Sequence, residues 1–429
     1  MPAGWLLVAS LLALSQTGAG AEKPLGGAIG LSDPSAAIPG PGGFAFAGEE
    51  GFGLSSPDRR FRLRLREVLQ VDFRNFFGPF LPEPDRNSFL VNFAGVQLGT
   101  VAYERVETRI FVNYAQGHLT LLDAYLDVTL MSWLVLRVGK YPAPISEERL
   151  TPAPALPFVS TTFASFLLPS RETGIAVYGK LCAGRLSYNL SLSDGSVAGF
   201  NVDTAVDSGK QLIARLFVEP FRGVPVGFLE RLGVGLGAST GDFVGTHDVA
   251  LLPVLKSYGG ATFLAFRPAL PDGRPVVANG RLERLVPHAV WSLGPVAAYA
   301  DAVWSRQQAT SGTVLLRSWG VVANLVLTGE TAAPLAFVVP AHPVGRGGWG
   351  TFLLVGGAGE ISAPAGLLST GLVGPDSMRR ARVWGGGFNW YPVSGLAVIT
   401  SYGHTIFDSF TRVARPPEDT LIIRAQLVL

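Results

Sequence analysis

Apolar and polar residues alternate along most of the chain from residue 61 onwards. In residues 61–77, Arg62, Arg64 and Arg66 begin a mainly polar set at even positions, whereas mainly Phe and Leu occupy the odd positions up to residue 73. A period of two is typical of a β-strand with one polar and one apolar face. The length suits a tilted strand of about 9–11 residues that crosses a membrane, with an extension at one end. We therefore predict a membrane-spanning strand here.

The same alternation recurs down the chain, and it is cleanest in residues 185–192, where odd positions are polar and even positions are Leu or Tyr. The sixteen segments predicted as strands are 61–77, 88–100, 103–115, 118–130, 133–141, 172–180, 184–194, 210–220, 231–241, 282–293, 296–307, 314–328, 348–361, 379–391, 394–407 and 419–429. An even number of spanning strands places both chain ends on the same, periplasmic side of a membrane.

The composition indicates whether these apolar faces are buried in lipid or inside a soluble protein. Hydrophobic residues make up 48% of the chain, yet prolines interrupt the longest uncharged stretches after the first residues, so these stretches do not predict membrane-spanning helices. A closed β-barrel buries an apolar outer face in lipid, and the aromatic residues at the edges of the apolar faces suit the girdles of such a barrel. The alternative is a large secreted β-sandwich or propeller. We predict an all-β fold, a transmembrane antiparallel β-barrel.

Three predicted connections are unusually long. Residues 142–171 contain six prolines and many Phe, Leu and Ala residues, so they form neither a strand nor an uninterrupted helix. A loop of this length is usually functional or disordered, and we predict that it packs inside the barrel after the fifth strand and narrows the pore. Residues 242–281 are the longest loop, with a hairpin expected around 261–266. Residues 329–347 are long where a short periplasmic turn is expected.

The start of the chain differs in composition from the rest. Residues 1–21 contain an apolar run followed by Ala-Gly-Ala, which predicts a signal peptide that is removed on export. A buried helix is the alternative. Residues 22–60 are rich in Gly, Ala, Pro and Ser and are predicted to be a flexible periplasmic lead-in. The barrel is assigned to residues 61–429.

Several classes of chemistry find no support in the sequence. The net charge of +2 gives no basis for nucleic-acid binding, and Cys182 is the only cysteine, so disulfides within the chain are excluded. The five histidines lack metal-ligand spacing. The sequence Gly-Ala-Ser-Thr-Gly at 237–241 matches a nucleophile elbow, but no helix is predicted after it. We predict no enzyme activity, no metal and no cofactor.

The polar strand faces should line the lumen. On the first four strands the inward basic residues outnumber the inward acidic residues, and a basic lumen favours anions. The basic residues are Arg62, Arg64, Arg66, Arg74, Arg105 and Arg109, and the acidic residues are Asp72, Glu107, Asp123 and Asp127.

Short motifs spread over residues 61–429 resemble, in order, the phosphate-selective porin O and P family. They are LDAYLD at 122–127, RVGKYPAP at 137–144, ERL at 148–150, LPF at 156–158, PSRETG at 169–174, GRLSY at 184–188, LVLTGE at 325–330, FNWY at 388–391 and EDTLIIRAQ at 418–426.

This resemblance implies a sixteen-stranded outer-membrane barrel, usually trimeric, with the loop after the fifth strand folded into the pore and an arginine and lysine ladder leading to a phosphate site. Arg74 matches a pore arginine of the family and Asp123 matches its strand-four aspartate. The basic residues expected on the second strand are replaced by FLVNF at 89–93, and Tyr141 is followed by proline instead of preceding a second lysine. The remaining candidate pore residues are Arg137 and Lys140 on the wall and Glu148, Arg149, Phe158 and Arg171 on the loop.

We therefore predict a bacterial outer-membrane porin, a passive diffusion channel for small hydrophilic solutes that prefers anions such as chloride or phosphate. Outer-membrane lipid and two further copies of the chain in a homotrimer are the expected partners. The alternative from another class is a non-conducting or plugged barrel that anchors the envelope or binds a partner. A soluble secreted β-protein is the third possibility.

Overall fold

The computed structural model describes residues 38–40, 43–48, 51–77, 87–197, 199, 201 and 207–429. The predicted signal peptide lies outside the described residues. Within them, the main sheet has nineteen strands, of which three short ones, Ile38–Gly40, Gly43–Gly48 and Gly51–Ser55, precede the barrel wall. The sixteen wall strands are β1 Phe61–Phe77, β2 Ser88–Ala102, β3 Val106–Asn113, β4 Thr120–Met131, β5 Leu134–Pro142, β6 Arg171–Leu181, β7 Leu186–Ser193, β8 Gln211–Val218, β9 Gly233–Val244, β10 Ala278–Leu293, β11 Val296–Ala309, β12 Gly312–Val326, β13 Thr351–Ser362, β14 Met378–Val393, β15 Leu396–Ser409 and β16 Glu418–Val428.

The sixteen wall strands close into a barrel. Each pairs with the next in antiparallel register, and β16 pairs with β1 from Asp419 opposite Phe77 to Val428 opposite Val68. Closure gives each wall strand a hydrogen-bonded neighbour on both edges, which a strand in lipid requires. The predicted sixteen-stranded antiparallel barrel is confirmed. We call the end that holds residues 61 and 428 the near end and the opposite end the far end.

Side-chain alternation sets the two faces of the wall. On β7, Leu190 and Leu192 point outward and are 46% and 45% exposed, whereas Ser191 and Ser193 are buried inside. Aromatic residues lie towards both ends of the wall. Trp133, Trp291, Trp349 and Trp390 lie towards the near end, and the exposed Phe77, Phe89, Tyr114 and Trp304 lie towards the far end, whereas Trp319 and Trp384 lie near the middle of β12 and β14. The outer face is thus an apolar band between two aromatic girdles, the arrangement that suits a membrane.

A hairpin extends the sheet at the near end. Residues 43–48 and 51–55 pair with each other, and residues 52–55 pair with residues 62–65 of β1. The pairing of β16 with β1 ends where the Leu429 amide donates to the Glu67 carbonyl at 2.9 Å. Beyond this point the hairpin pairs with the same edge of β1. This part of the predicted lead-in forms strands, because β1 is longer than β16 and its near end offers unpaired backbone groups.

The connections carry most of the remaining structure. At the far end, a two-stranded ribbon, Leu255–Lys256 with Thr262–Leu264, lies in the long loop near the predicted hairpin. At the near end, residues 327–350 form the long connection that the sequence indicated. Its Ala332 is buried in a cluster with inward residues of β12 and β13, including Val326 and Leu353. Although burial opposes ionisation, hydrogen bonds from Thr328 and Thr351 lower the pKa of Glu330 in this connection.

Candidate functional site inside the barrel

The inner face of the wall differs between two arcs. On β8 to β14, inward apolar side chains such as Ile213, Val303 and Ile361 pack with residues of the far-end connections, such as Phe163 and Leu264, into one buried cluster. On β1 to β7, many inward polar side chains keep partial exposure. They include Arg62, Arg74, Asn92, Gln97, Glu107, Arg109, Asn113, Arg137, Tyr178, Lys180 and Asn189. We take this polar arc as the candidate site.

Residues 143–170, which we call the crossing segment, reach strands on opposite sides of the barrel. The segment begins with a short helix, α1 (Glu147–Leu150), capped by the Ser146 side chain, which accepts from the Arg149 amide. Glu147 forms an ion pair with Arg215 on β8, and Glu148 accepts a hydrogen bond from Tyr299 on β11 at 3.2 Å.

Further along, the backbone of the crossing segment is held from β14, β15 and β16. Asn389 donates to the Pro157 carbonyl at 2.7 Å, and Gln426 donates to the Pro154 carbonyl at 2.9 Å. The Val159 amide donates to Ser401 at 3.1 Å. Because β8 and β16 lie half a circuit apart in the closed sheet, the segment passes through the interior.

Glycines on the wall allow this close approach. A Cβ at Gly237 would lie 2.0 Å from the Ile145 carbonyl oxygen, and one at Gly320 would lie 2.4 Å from Thr162 Cβ. No side chain fits at those distances, so the segment rests directly on the backbone of β9 and β12. The residue Phe158, expected at the pore, is instead 7% exposed within an apolar cluster.

A buried ion pair joins the two strands at the barrel seam. Arg424 on β16 donates to both oxygens of Asp72 on β1, at 2.7 and 2.9 Å. The side chains are 4% and 0% exposed. Arg424 also donates to the Val159 carbonyl at 3.2 Å. Arg74 lies 3.4 Å from Asp72 and 3.2 Å from Asn92 and is more exposed than Arg424.

Arg137 on β5 is held by an acid and by aromatic rings. It donates to both oxygens of Asp127, at 2.7 and 2.6 Å. Its guanidinium carbon lies 4.0 Å from the ring centre of Tyr125 and 4.9 Å from that of Tyr178. A bidentate pair with stacked rings fixes an arginine strongly, so little of its charge remains available to a passing ion.

Asp123 on β4 is shared by two arginines. Arg171, at the start of β6, donates to it at 2.8 Å, and an Arg109 nitrogen lies 4.0 Å away. Asp123 is 2% exposed, whereas both arginine side chains keep at least 20% exposure. The structure thus brings together three residues that the sequence indicated separately.

The arginine row of β1 lies at the near end. Arg64 and Arg66 are buried to 6% and 8% exposure, and Arg62 donates to the Arg59 carbonyl at 3.4 Å. The Arg64 guanidinium carbon lies 6.0 Å from the ring centre of Phe46 in the near-end hairpin. The row therefore borders the near mouth.

Two candidate wall residues do not line the lumen. Arg105 lies in the exposed turn 103–105 before β3, because the strand begins at Val106 and not at residue 103. Lys140 lies between Gly139 and the inward-pointing Tyr141 on β5, so its side chain points to the outer face of the strand. It is 3% exposed, and its Nζ donates to the Leu121 carbonyl at 2.7 Å.

The candidate loop residues Glu148 and Arg149 are structural. Glu148 is 2% exposed and accepts from the Thr162 amide and hydroxyl at 2.9 and 2.8 Å. Arg149 donates to the Ser165 carbonyl. Burial lowers the pKa of Arg149 to about 10, against the attraction of Glu148. Both side chains fold the segment onto itself.

Sequence reasoning missed the buried polar groups of the second half of the barrel. Arg215, Arg284, His288, Asp301 and Arg424 all point inward with at most 5% exposure. The parity that revealed the inward residues of the first strands also applied to residues 211–217 and 418–428. It would have identified Arg215 and Arg424.

No helix in the described ranges is long and apolar enough to cross a membrane. Across the same ranges, no group of His, Cys, Asp and Glu side chains is arranged to hold a metal ion.

Solved structures that superpose on this chain include outer-membrane channels. The anion-selective porin from Comamonas acidovorans superposes with a TM-score of 0.55 at 9% identity, covering 86% of this chain and 100% of that one. The fold is that of outer-membrane porins. The outer membrane channel DcaP of Acinetobacter baumannii gives 0.53 at 11% identity, covering 88% and 99%. OmpF of Salmonella typhi, in complex with daunomycin, gives 0.52 at 12% identity, covering 86% and 98%.

The porin fold agrees with the predicted location in a bacterial outer membrane, as do the apolar outer band and its girdles. No protein-family model and no curated protein matches this chain. Membership of the phosphate-selective porin O and P family therefore remains a prediction.

Proposed function

We propose that the chain is a passive outer-membrane channel for small hydrophilic solutes, with a path along the polar arc of β1 to β7 and a preference for anions. The main support is that the inner face of the barrel has an apolar arc and a polar arc. Apolar packing fills the lumen against β8 to β14, whereas partly exposed charged side chains remain on β1 to β7. Water and ions need such a polar surface to cross.

The crossing segment narrows this path in the proposal. It is anchored to β8, β11, β14, β15 and β16, so it occupies the part of the lumen opposite the polar arc. Solutes then pass between the segment and the wall strands that carry Arg74 and Arg109.

The anion preference comes from the field of the arc and not from a tight site. Arg137 is paired with Asp127, and Arg109 and Arg171 share Asp123. An anion must shed water and be repaid by several converging donors to bind strongly, and carboxylates already occupy these donors. We propose weak phosphate binding, in contrast to the family that the sequence resembles.

The apolar cluster inside the barrel favours one rival, a plugged barrel that anchors the envelope or binds a partner. Incorporation of the purified protein into a planar bilayer separates the two functions. We expect stable channels whose reversal potential in a potassium chloride gradient shows chloride passing faster than potassium. A barrel that inserts, as judged by heat-modifiable gel mobility, but never conducts would establish the plugged alternative.

The homotrimer that the resemblance implies belongs to the same proposal. Native mass spectrometry in detergent should give three copies of the chain. A monomer that conducts would leave the channel function intact and remove the trimer.

A further inference from the structure

The outer face of the barrel carries a repeated pair of residues on β11, β12 and β14. On each of these strands an outward tryptophan is followed, two residues further towards the far end, by an arginine on the same face. The pairs are Trp304 with Arg306, Trp319 with Arg317, and Trp384 with Arg382. The tryptophans are 44–56% exposed. On β14, Arg380 lies ten residues from the near-end Trp390, which is about the length of a tilted strand that spans the hydrocarbon layer. Arg380 and its neighbours on the outer face therefore lie at the height of the lipid headgroups at the far end.

Two arginines on this face flank a small residue. Arg317 on β12 pairs in register with Ser362 on β13, which pairs with Arg380 on β14. On each strand the residues next to Arg317, Ser362 and Arg380 point into the barrel. The side chains of these three residues therefore all lie on the outer face. Two strand spacings separate the arginines by about 9–10 Å at the backbone, which leaves room for a phosphate group over Ser362 within reach of both guanidinium groups.

The charges around this row favour an anion. Arg317 is exposed and makes no ion pair within the described residues. Arg380 lies 3.7 Å from Glu360 and 3.3 Å from Asp408, and Arg382 lies 3.2 Å from Asp408. Three arginines thus face two carboxylates, and the excess positive charge lies at Arg317, beside Ser362.

We propose that this outer face, centred on Arg317, Ser362 and Arg380, binds the phosphate of a phosphorylated lipid headgroup in the outer leaflet. The adjoining tryptophans contact the start of its acyl chains. Arg317 supplies the main charge-assisted hydrogen bonds to the phosphate, and the serine hydroxyl adds a short donor. Arg380, which also lies near Glu360 and Asp408, contributes positive charge from the other side. The inference rests on insertion of the barrel into a membrane and not on conduction, so it holds for a channel or a plugged barrel.

The test uses the full-length protein in detergent with bisphosphorylated lipid A as the probe, observed by native mass spectrometry. Dephosphorylated lipid A with the same acyl chains is the matched ligand. We expect the double variant Arg317→Gln/Arg380→Gln to bind the phosphorylated probe about 30-fold more weakly, since each basic residue near an anionic headgroup contributes roughly fivefold. Wild-type protein should also prefer the phosphorylated over the dephosphorylated lipid.

The control variant, Arg274→Gln/Arg281→Gln, removes the same charge from two exposed arginines that are each paired with an aspartate. It should bind the probe like wild type. Equal loss in both double variants would mean general charge attraction and would overturn the site, as would equal binding of the two lipids. A change in the number of copies of the chain, with lipid binding unaltered, would assign the face to protein contact instead and would also overturn it. Heat-modifiable gel mobility confirms that each variant has folded.

Discussion

The buried pair of Asp72 and Arg424 should be a main source of stability at the barrel seam, and its two partners should not be equivalent. Replacing Asp72 with Leu leaves the Arg424 guanidinium, 4% exposed, without its carboxylate. Breaking a buried pair by removing one partner costs about 3–5 kcal/mol. This corresponds to a loss of roughly 150-fold to several thousand-fold in the folding equilibrium.

The reverse substitution should cost less. Replacing Arg424 with Met leaves Asp72 next to Arg74, whose nitrogen lies 3.4 Å away, so the carboxylate keeps one cationic partner. We expect Arg424→Met to lower the free energy of unfolding by about half as much as Asp72→Leu, because the charge that stays buried is only partly uncompensated. The double variant Asp72→Leu/Arg424→Met removes both charges and should be less destabilised than Asp72→Leu alone.

Urea unfolding from lipid vesicles measures these free energies, followed by the fluorescence of the tryptophans in the two girdles. A double-mutant cycle then isolates the pair. A cost of Asp72→Leu below about 1 kcal/mol, the range of exposed pairs, would show that water reaches the pair and that it is not a buried source of stability. Additive effects of the two substitutions would likewise refute the reasoning.

Three further predictions concern the wall, the crossing segment and the lumen. Leu190→Arg, on the lipid face, should destabilise the barrel by about 2–4 kcal/mol in urea unfolding if it lies near the bilayer midplane, whereas the inward Asn189→Arg should cost clearly less; equal costs would contradict the assigned faces. Gly320→Ala should displace the crossing segment, because a Cβ there would lie 2.4 Å from it, whereas Gly356→Ala meets nothing within 4 Å; single-channel conductance should change in the first variant and not in the second, and identical traces would count against a segment in the conducting path. Arg74→Ala should reduce the preference for chloride over potassium, and roughly millimolar phosphate should block chloride current only slightly because binding is weak and spread over several sites; strong block at micromolar phosphate would reveal a complete phosphate site.

The wall of the barrel was predictable from the sequence because lipid requires an apolar side chain at nearly every second position of a spanning strand. Each predicted strand has an observed counterpart, and the outward side of Leu190 follows from parity alone. The alternation of polar and apolar positions does not locate the ends of a strand, because residues in a turn do not alternate. Arg105 was therefore assigned to a strand when it belongs to the turn before β3.

The interior was much less predictable. Leu264 and Phe163 lie far apart in the sequence and have no periodicity that links them, yet they share one buried cluster inside the barrel. Their pairing depends on how long loops fold back, which local pattern does not encode. The ion pair between Arg137 and Asp127 was likewise not predictable. A strand pattern shows on which side of the strand a charged side chain lies but not which residue it contacts.

The hairpin at the near end has a consequence for how the barrel closes. A slip of β1 against β16 by two residues would return every side chain to its proper face, so alternation alone cannot forbid it. Strand stagger determines the bore of a barrel, and such a slip would alter it. Residues 52–55 occupy the β1 edge directly beyond Leu429, which pairs with Glu67. The hairpin therefore blocks a slip that would carry the end of β16 further along β1 towards the near end, and so limits the strand stagger on which the diameter of the barrel depends.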